Sequence, residues 1–517
     1  MGLFDKFKKK NKDMEGEGLT GEQLSGVSYG SDGEIESGIV GDVIHGGSSE
    51  GAESMEGAAD ETMNAAAPVM EEPKKPNGAF VLGVENLYYD EETNDAFVSG
   101  RLGGTLELGM IVHISNHGED NYETFLANVL EIEADRQMVE SASDCNVIIR
   151  LEDGQSKKLR VGSVVHSRNV ALKSIHEAYV NAIGEIYIGA KKFDLHEEEL
   201  AQMSIADLTE AWRMNNLMKI KDAKEGKEID KDAEKAKVEK LAKVLCEKIL
   251  ESEEIYVVYN KLTGEPHMFS KTFNRGDGTY MCAPPDILVI PKAYAKLYAP
   301  MYTNERFELK KIENIDGNKG IYNFLGGAFY LNGACGIDVV SDKTSIMAHL
   351  LVPKPDYSNV ANKASIPVTN PELVRWMLLI GQMGKPEGED AELIYRLYYR
   401  FMSIEMTKAR FIIPMKSEGG MPEPDENGKT VIKKDTKIGL ATIKGKGDKQ
   451  AIRMYTDWKR MRMVYDTEWN GLIQKASDMI ETFDLAVNVT QFPTAGCYVS
   501  HEMYEGMEKT VSQLDNK

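Results

Sequence analysis

Between Lys429 and Arg462 eleven Lys or Arg residues stand against three Asp, in a chain of 517 residues whose net charge is −22. Tyr455 and Trp458 fall inside the same stretch. Basic side chains at that density, with aromatic rings among them, attract anions: RNA phosphates, an acidic protein segment, or the acidic N-terminal part of this same chain. The candidate partner-binding residues are Lys433, Lys434, Lys437, Lys444, Lys446, Lys449, Arg453, Tyr455, Trp458, Lys459, Arg460 and Arg462. The competing reading is a solvated hairpin and helix face.

Other residue patterns spell chemistry without the setting it needs. His113 and His117 have the spacing of a helical metal pair, but their surroundings predict a strand and a turn. Gly428-Lys429-Thr430 has Glu423 where a phosphate-binding loop places its first Gly. Asn260-Lys261 is followed by Leu262-Thr263, which is not the guanine-reading pattern. The turn Gly445-Lys446-Gly447-Asp448 lacks a following helix N-terminus to supply aligned N–H donors and reads as a β-hairpin turn. Gly26-Val27-Ser28-Tyr29-Gly30 matches a nucleophile elbow in letters, without the strand and helix that expose such a Ser. The five cysteines are far apart, with no Cys-x-x-Cys pair, which argues for reduced thiols in a cytosolic compartment. Cys335 and Cys497 read as buried apolar thiols. The expectation is a non-enzymatic chain with no catalytic residue, cofactor or metal.

The elements that must position the basic stretch are those of a multidomain α+β chain. Residues 1–77 read as a disordered acidic leader, since between Asn11 and Pro73 the only Lys or Arg is Lys12 and aromatic residues are almost lacking. Its first ten residues place Leu3, Phe4 and Phe7 among Lys6, Lys8, Lys9 and Lys10, a pattern that allows weak contact with an anionic membrane surface. No apolar run approaches the roughly 18 residues of a transmembrane span. The acidic balance disfavours DNA as a partner.

Residues 78–168 alternate with period two and are broken by glycines, as in a small antiparallel β-barrel. Phe80-Val81-Leu82, Val98-Ser99-Gly100-Arg101, Gly104-Thr105-Leu106-x-Leu108-Gly109 and Leu159-x-Val161-Gly162 resemble the second-domain barrel of elongation-factor-Tu-type translational GTPases. That resemblance implies a binding or spacing module that contacts RNA or proteins, without the GTPase itself. Residues 169–250 read as a helical connector. Within it Ser204 and Asp207 form a capping box, and Val238, Leu241, Leu245 and Ile249 share a helix side.

The rest reads as two α/β modules, 251–350 and 409–510, joined by a linker and helices over 351–408. They share Met-Tyr-Thr, 153 residues apart at Met301 and Met454, and an Asn inside a late apolar strand. Thr303 and Thr456 read as helix caps, and Asn370-Pro371-Glu372 as a helix start. Phe411-Ile412-Ile413-Pro414, Ile438-Gly439-Leu440, Tyr455-Thr456-Asp457-Trp458 and Ala486-Val487-Asn488 resemble the N-terminal domain of the SseB family, more clearly than the first copy does. The combined expectation is a cytoplasmic adaptor whose SseB-like modules bind protein partners. The alternative is a ribosome- or RNA-associated accessory factor that uses the barrel and the basic stretch.

Overall fold

The computed structural model describes residues 79–119, 124–189, 197–274, 280–315, 317–360, 366–417, 437–445 and 449–515. The leader expected over 1–77, and Lys433, Lys434 and Lys446, lie outside them.

The alternating stretch after Gly78 forms nine strands: β1 Phe80–Gly83, β2 Asn86–Tyr89, β3 Ala96–Glu107, β4 Ile111–Ser115, β5 Thr124–Ala134, β6 Gln137–Met138, β7 Ser141–Ser143, β8 Asn146–Leu151 and β9 Val164–His166. Six of them close a barrel in the order β1-β9-β4-β5-β8-β3 and back to β1. Closure explains two of the glycines. A Cβ on Gly100 would lie 2.0 Å from the Gly83 carbonyl oxygen, and Gly104, at φ +90°, comes equally close to Ala79. The inward-facing Phe80, Leu82, Val98, Leu102, Leu106, Val112, Ile114 and Ile149 fill a core of the barrel's own.

The connector is helical from α1 (Leu172–Gly184), through a π turn at Glu185–Gly189, to α2 (Glu197–Gln202), α3 (Ile205–Lys224) and α4 (Lys231–Glu251). Helix α1 lies against β1 so closely that a Cβ on Gly83 would meet the Ala178 carbonyl at 2.4 Å. The Ser204–Asp207 capping box starts α3 with both reciprocal bonds made.

The first mixed sheet follows, from β10 (Glu254–Asn260), β11 (Glu265–Pro266), β12 (Met268–Phe269), β15 (Asp286–Pro291), β16 (Phe307–Glu313), β17 (Gly336–Val339) and β18 (Ser345–Met347), with a separate ribbon of β13 (Thr272–Asn274) and β14 (Tyr280–Cys282). Its helices are α5 (Ala295–Tyr302), α6 (Gly320–Tyr330) and α7 (Ala348–Leu351). Helices α8 (Pro371–Met383) and α9 (Glu389–Lys408) lead to the last sheets. These hold β19 (Arg410–Ser417), β20 (Ile438–Leu440), β21 (Thr442–Lys444), β22 (Gln450–Met454), β23 (Asn470–Lys475), β24 (Asp484–Val487) and β25 (Cys497–Val499), with α10 (Trp458–Arg462), α11 (Ser477–Ile480) and α12 (His501–Asp515). A bridge between Ile412 and Tyr455 joins β19 to the end of β22. One apolar core runs from the connector through both sets of sheets.

The main path of the first sheet is β16-β10-β15-β17-β18, with β15 and β17 parallel. In the second set the path is β23-β19-β22-β24-β25, with β22 and β24 parallel. The sequence landmarks do not follow these paths. Met454 ends strand β22, whereas Met301 lies in helix α5 with Thr303 just past its end. Asn488 follows β24, whereas Asn332 precedes β17. Neither Thr caps a helix N-terminus. Asp457 accepts the Arg460 N–H at the start of α10, and Thr303 is at a helix C-terminus. Positions defined by pairing instead match Val289 with Met454, since the carbonyl of each accepts the N–H of the residue after the parallel strand, Val340 or Asn488. Those two residues are both left-handed, at φ 67° and 51°.

Candidate functional site

Arg460 is the largest surprise of the basic stretch. Helix α10 turns it away from solvent until it is 2% exposed, into the seam between the first and second sheets. There it donates to Asp457 at 2.5 Å, Glu265 at 3.0 Å and Asn332 at 2.8 Å. The Asn332 amide donates in turn to the second Glu265 oxygen at 3.0 Å. Two carboxylates favour the charged guanidinium enough to raise its pKa although burial works against it. Asp457 accepts a bond from the Thr456 hydroxyl, and Thr456 is held by Asn488. Asn370 sits at the start of α8 as the sequence suggests. Its amide, however, reaches across to the Arg410 and Thr456 carbonyls at 2.8 Å instead of capping its own helix. Glycines let the seam close: Gly264, at φ +65°, brings the β10–β11 turn against Pro493.

Arg460 and Tyr455 are therefore corrections to the expected partner surface, because both side chains are buried. Arg453 is half-buried, lying over the Tyr465 ring and donating to the Val489 carbonyl at 3.3 Å. Trp458 is half-buried, and Arg462 lies over its ring while donating to the Trp469 carbonyl at 3.0 Å. Lys437, Lys444, Lys449 and Lys459 are exposed. They do not form one patch. Lys444 and Lys449 flank the turn of the β21–β22 hairpin, whereas Lys459 follows the other end of β22, about 16 Å away at about 3.3 Å per strand residue.

A second buried polar junction was hidden from the sequence. Asp207, read there only as a cap, is 3% exposed. It accepts the Tyr179 hydroxyl at 2.6 Å and Arg160 at 3.0 Å. One turn along α3, Glu210 accepts Arg213 at 2.7 Å and the Tyr294 hydroxyl at 3.1 Å. His117 and His176 share a 3.0 Å bond, and the His117 ring packs against both tyrosines. Barrel, connector and first sheet meet here. Burial pushes His117 down to about 3 and His176 to about 4, so the pair is neutral at pH 7. The same burial, reinforced by Asp207, drives the Tyr179 phenol up. A cavity of about 230 Å³ beside it is lined by His176, Glu177, Val180, Asn181 and Arg213.

Among the described residues no group of three or more His, Cys, Asp or Glu is placed to hold a metal. Burial raises Cys335 and carries Cys497 to about 12, away from nucleophilic thiolate character. On the first sheet burial lifts Asp286 to about 6, and burial together with repulsion from Asp286 and Asp342 lifts Asp338 to about 7. No helix among the described residues is long and apolar enough to cross a membrane.

These elements define a multidomain α+β protein: a closed six-strand antiparallel barrel, a helical connector and mixed sheets joined through two buried polar junctions. No family model and no curated protein matches the chain. Among solved structures it is similar to translation elongation factor SelB from Methanococcus maripaludis in its apo form, at 14% identity over 19% of this chain and 21% of that one, with a TM-score of 0.16. It is also similar to Sup35 complexed with GMPPNP, at 17% identity over 19% of this chain and 22% of that one, with a TM-score of 0.15. The similarity spans about a fifth of each of those chains, and at that extent it speaks for neither activity nor partner.

Proposed function

We propose that this protein is a non-enzymatic cytoplasmic adaptor that holds several binding surfaces in fixed relation. The observation that carries this reading is the pair of polar junctions centred on Asp207 and Arg460. Each draws side chains from different parts of the chain into one buried hydrogen-bonded network, so the barrel, connector and sheets present their outer faces together. The two five-strand paths, β16-β10-β15-β17-β18 and β23-β19-β22-β24-β25, together with left-handed Val340 and Asn488 at matching places, support reading the modules as two copies of one fold. The SseB resemblance of the second copy agrees with that reading.

The exposed lysines at the hairpin end favour an acidic protein segment as the partner of the second module. They also favour the second reading, a ribosome- or RNA-associated factor. Ribosome co-sedimentation of the full chain separates the two. Loss of co-sedimentation by about 0.2 M salt leaves the adaptor reading in place, and retention there favours the second. For the adaptor, proteins captured from native lysate are expected to be lost on reversing Lys444 and Lys449 to Glu. An unchanged set of captured proteins would count against the hairpin end as the binding face.

A further inference from the structure

The outer face of the barrel between β4 and β5 is unusually apolar for an uncovered sheet. Ile111 is 66% exposed and Leu126 53% exposed, with Leu108 and Leu130 beside them. Pairing makes these neighbours. Ile111 lies opposite Asn128, and Leu126 and Leu130 flank Asn128 along the same strand. A break in register between Val129 and Glu131 puts Leu130 at a bulge, where its side chain is turned outward. A face of this kind needs a cover or a partner.

Its border is acidic. Glu107 and Glu131 adjoin Leu108 and Leu130 in sequence, and the Glu140 carbonyl accepts the Leu108 N–H. Glu152 is bonded to Asn128 in the middle of the patch. The nearby cation on this side, Arg150, is already paired with Asp95 and Glu131, and Arg136 lies at the β5–β6 turn. A complementary occupant therefore carries two or three large apolar side chains surrounded by lysines.

The first ten residues of this chain have that composition. Leu3, Phe4 and Phe7 fall at helical spacing, with Lys6, Lys8, Lys9 and Lys10 around them and Asp5 as the one acid. The segment is also tethered nearby, because the described chain starts at Ala79, one residue before β1 of the same barrel. At random-coil dimensions the roughly 68 residues between them would span a root-mean-square distance of about 45 Å, ample for the width of a small barrel. Tethering supplies an effective concentration on the order of millimolar, so even weak docking is substantially populated.

We propose that residues 1–10 dock intramolecularly on the β4–β5 face, Leu3, Phe4 and Phe7 covering Ile111, Leu126 and Leu130 while the lysines meet the glutamate border. A photoreactive phenylalanine analogue in place of Phe7 in the full chain tests this directly. The expected product is an intramolecular cross-link to a peptide within 108–134. Cross-links elsewhere, or none at all, would overturn the assignment.

Hydrogen exchange gives a second readout that does not perturb the barrel. Changing Leu3, Phe4 and Phe7 to Ala is expected to speed exchange of the β4 and β5 amides about three- to tenfold. Unchanged exchange there overturns the proposal. The decisive contrary result is unchanged exchange together with loss of binding to vesicles containing about 30% phosphatidylserine, which would assign the segment to membranes instead.

Discussion

Replacing Arg460 with Met keeps much of the side-chain volume but leaves Asp457 and Glu265 facing each other without a counter-ion in the seam. Removing one partner of a buried pair costs about 3–5 kcal/mol, so Arg460→Met is expected to lower the urea midpoint clearly. Adding Asp457→Asn and Glu265→Gln should recover part of the loss. A midpoint unchanged in the single variant would mean that the network contributes nothing net. It follows that charge reversal of Arg460 reads folding before it reads binding. Asp338 gives the residue scale its pH dependence. Its carboxyl is lifted to about 7 by burial, with Asp286 and Asp342 adding to the shift. The folded state therefore binds its proton more tightly than the unfolded state. The stability this contributes is full below pH 4 and is lost as pH rises toward 7. Asp338→Asn should thus gain stability relative to the parent between pH 5 and pH 8, as followed by thermal melting; a constant difference across that range would refute the shift. His267 has the opposite sign. It is edge-on to Phe269 and Phe307 and held down to about 3, chiefly by burial. Its contribution is present above pH 6.5 and is lost on acidification toward 3.

Helix α3 carries two roles at one terminus, and they can be separated. Ser204→Ala removes the Asp207 N–H acceptor alone, a loss of about 1 kcal/mol. Asp207→Ala also strands the Tyr179 hydroxyl and Arg160, so its cost should be at least about twice that. Hydrogen exchange should then rise in α1 and in the barrel segment around Arg160 as well as in α3. Equal effects of the two variants would reduce Asp207 to a cap. This helix start was legible in the sequence because capping is local, its partners being three residues apart. The strands of the barrel were legible for the same reason, since alternation and glycines are written along each strand. Partners of Arg460 were not, because Glu265 lies 195 residues away and only the packing of one sheet on another brings it near. Asn488 did leave a signal. An amide inside the apolar run DLAVNV implies a buried hydrogen bond, and here it holds Thr456. The Met-Tyr-Thr match misled because identical letters ended a strand once and a helix once, whereas register follows backbone pairing. Asn370 shows a milder failure: its position was readable, but its bonds were set by tertiary neighbours.

At the scale of the whole molecule the net charge of −22 hides a division of labour. Residues 11–73 carry 15 Asp or Glu against one Lys, −14 of the net −22, and the exposed Lys444 and Lys449 stand beside the turn at the hairpin end of the second module. A tethered polyanion competes with any external one for such a surface. Deleting residues 11–73 while keeping residues 1–10 should therefore strengthen binding of a polyglutamate or poly-U probe at low salt. The gain should vanish when Lys444 and Lys449 are changed to Glu, and should remain when Lys459 is changed, because that residue lies at the far end of β22. It should also shrink as salt rises, since the screening length falls from about 30 Å at 0.01 M to about 10 Å at 0.1 M. A fluorescence anisotropy titration of the four proteins at those two salt concentrations reads each term separately. No gain on deletion at 0.01 M would show that the leader does not occupy the hairpin end. A gain that survives the double reversal would move its binding place to another face of the molecule, such as the neighbourhood of Arg462 and Lys416 around Trp469.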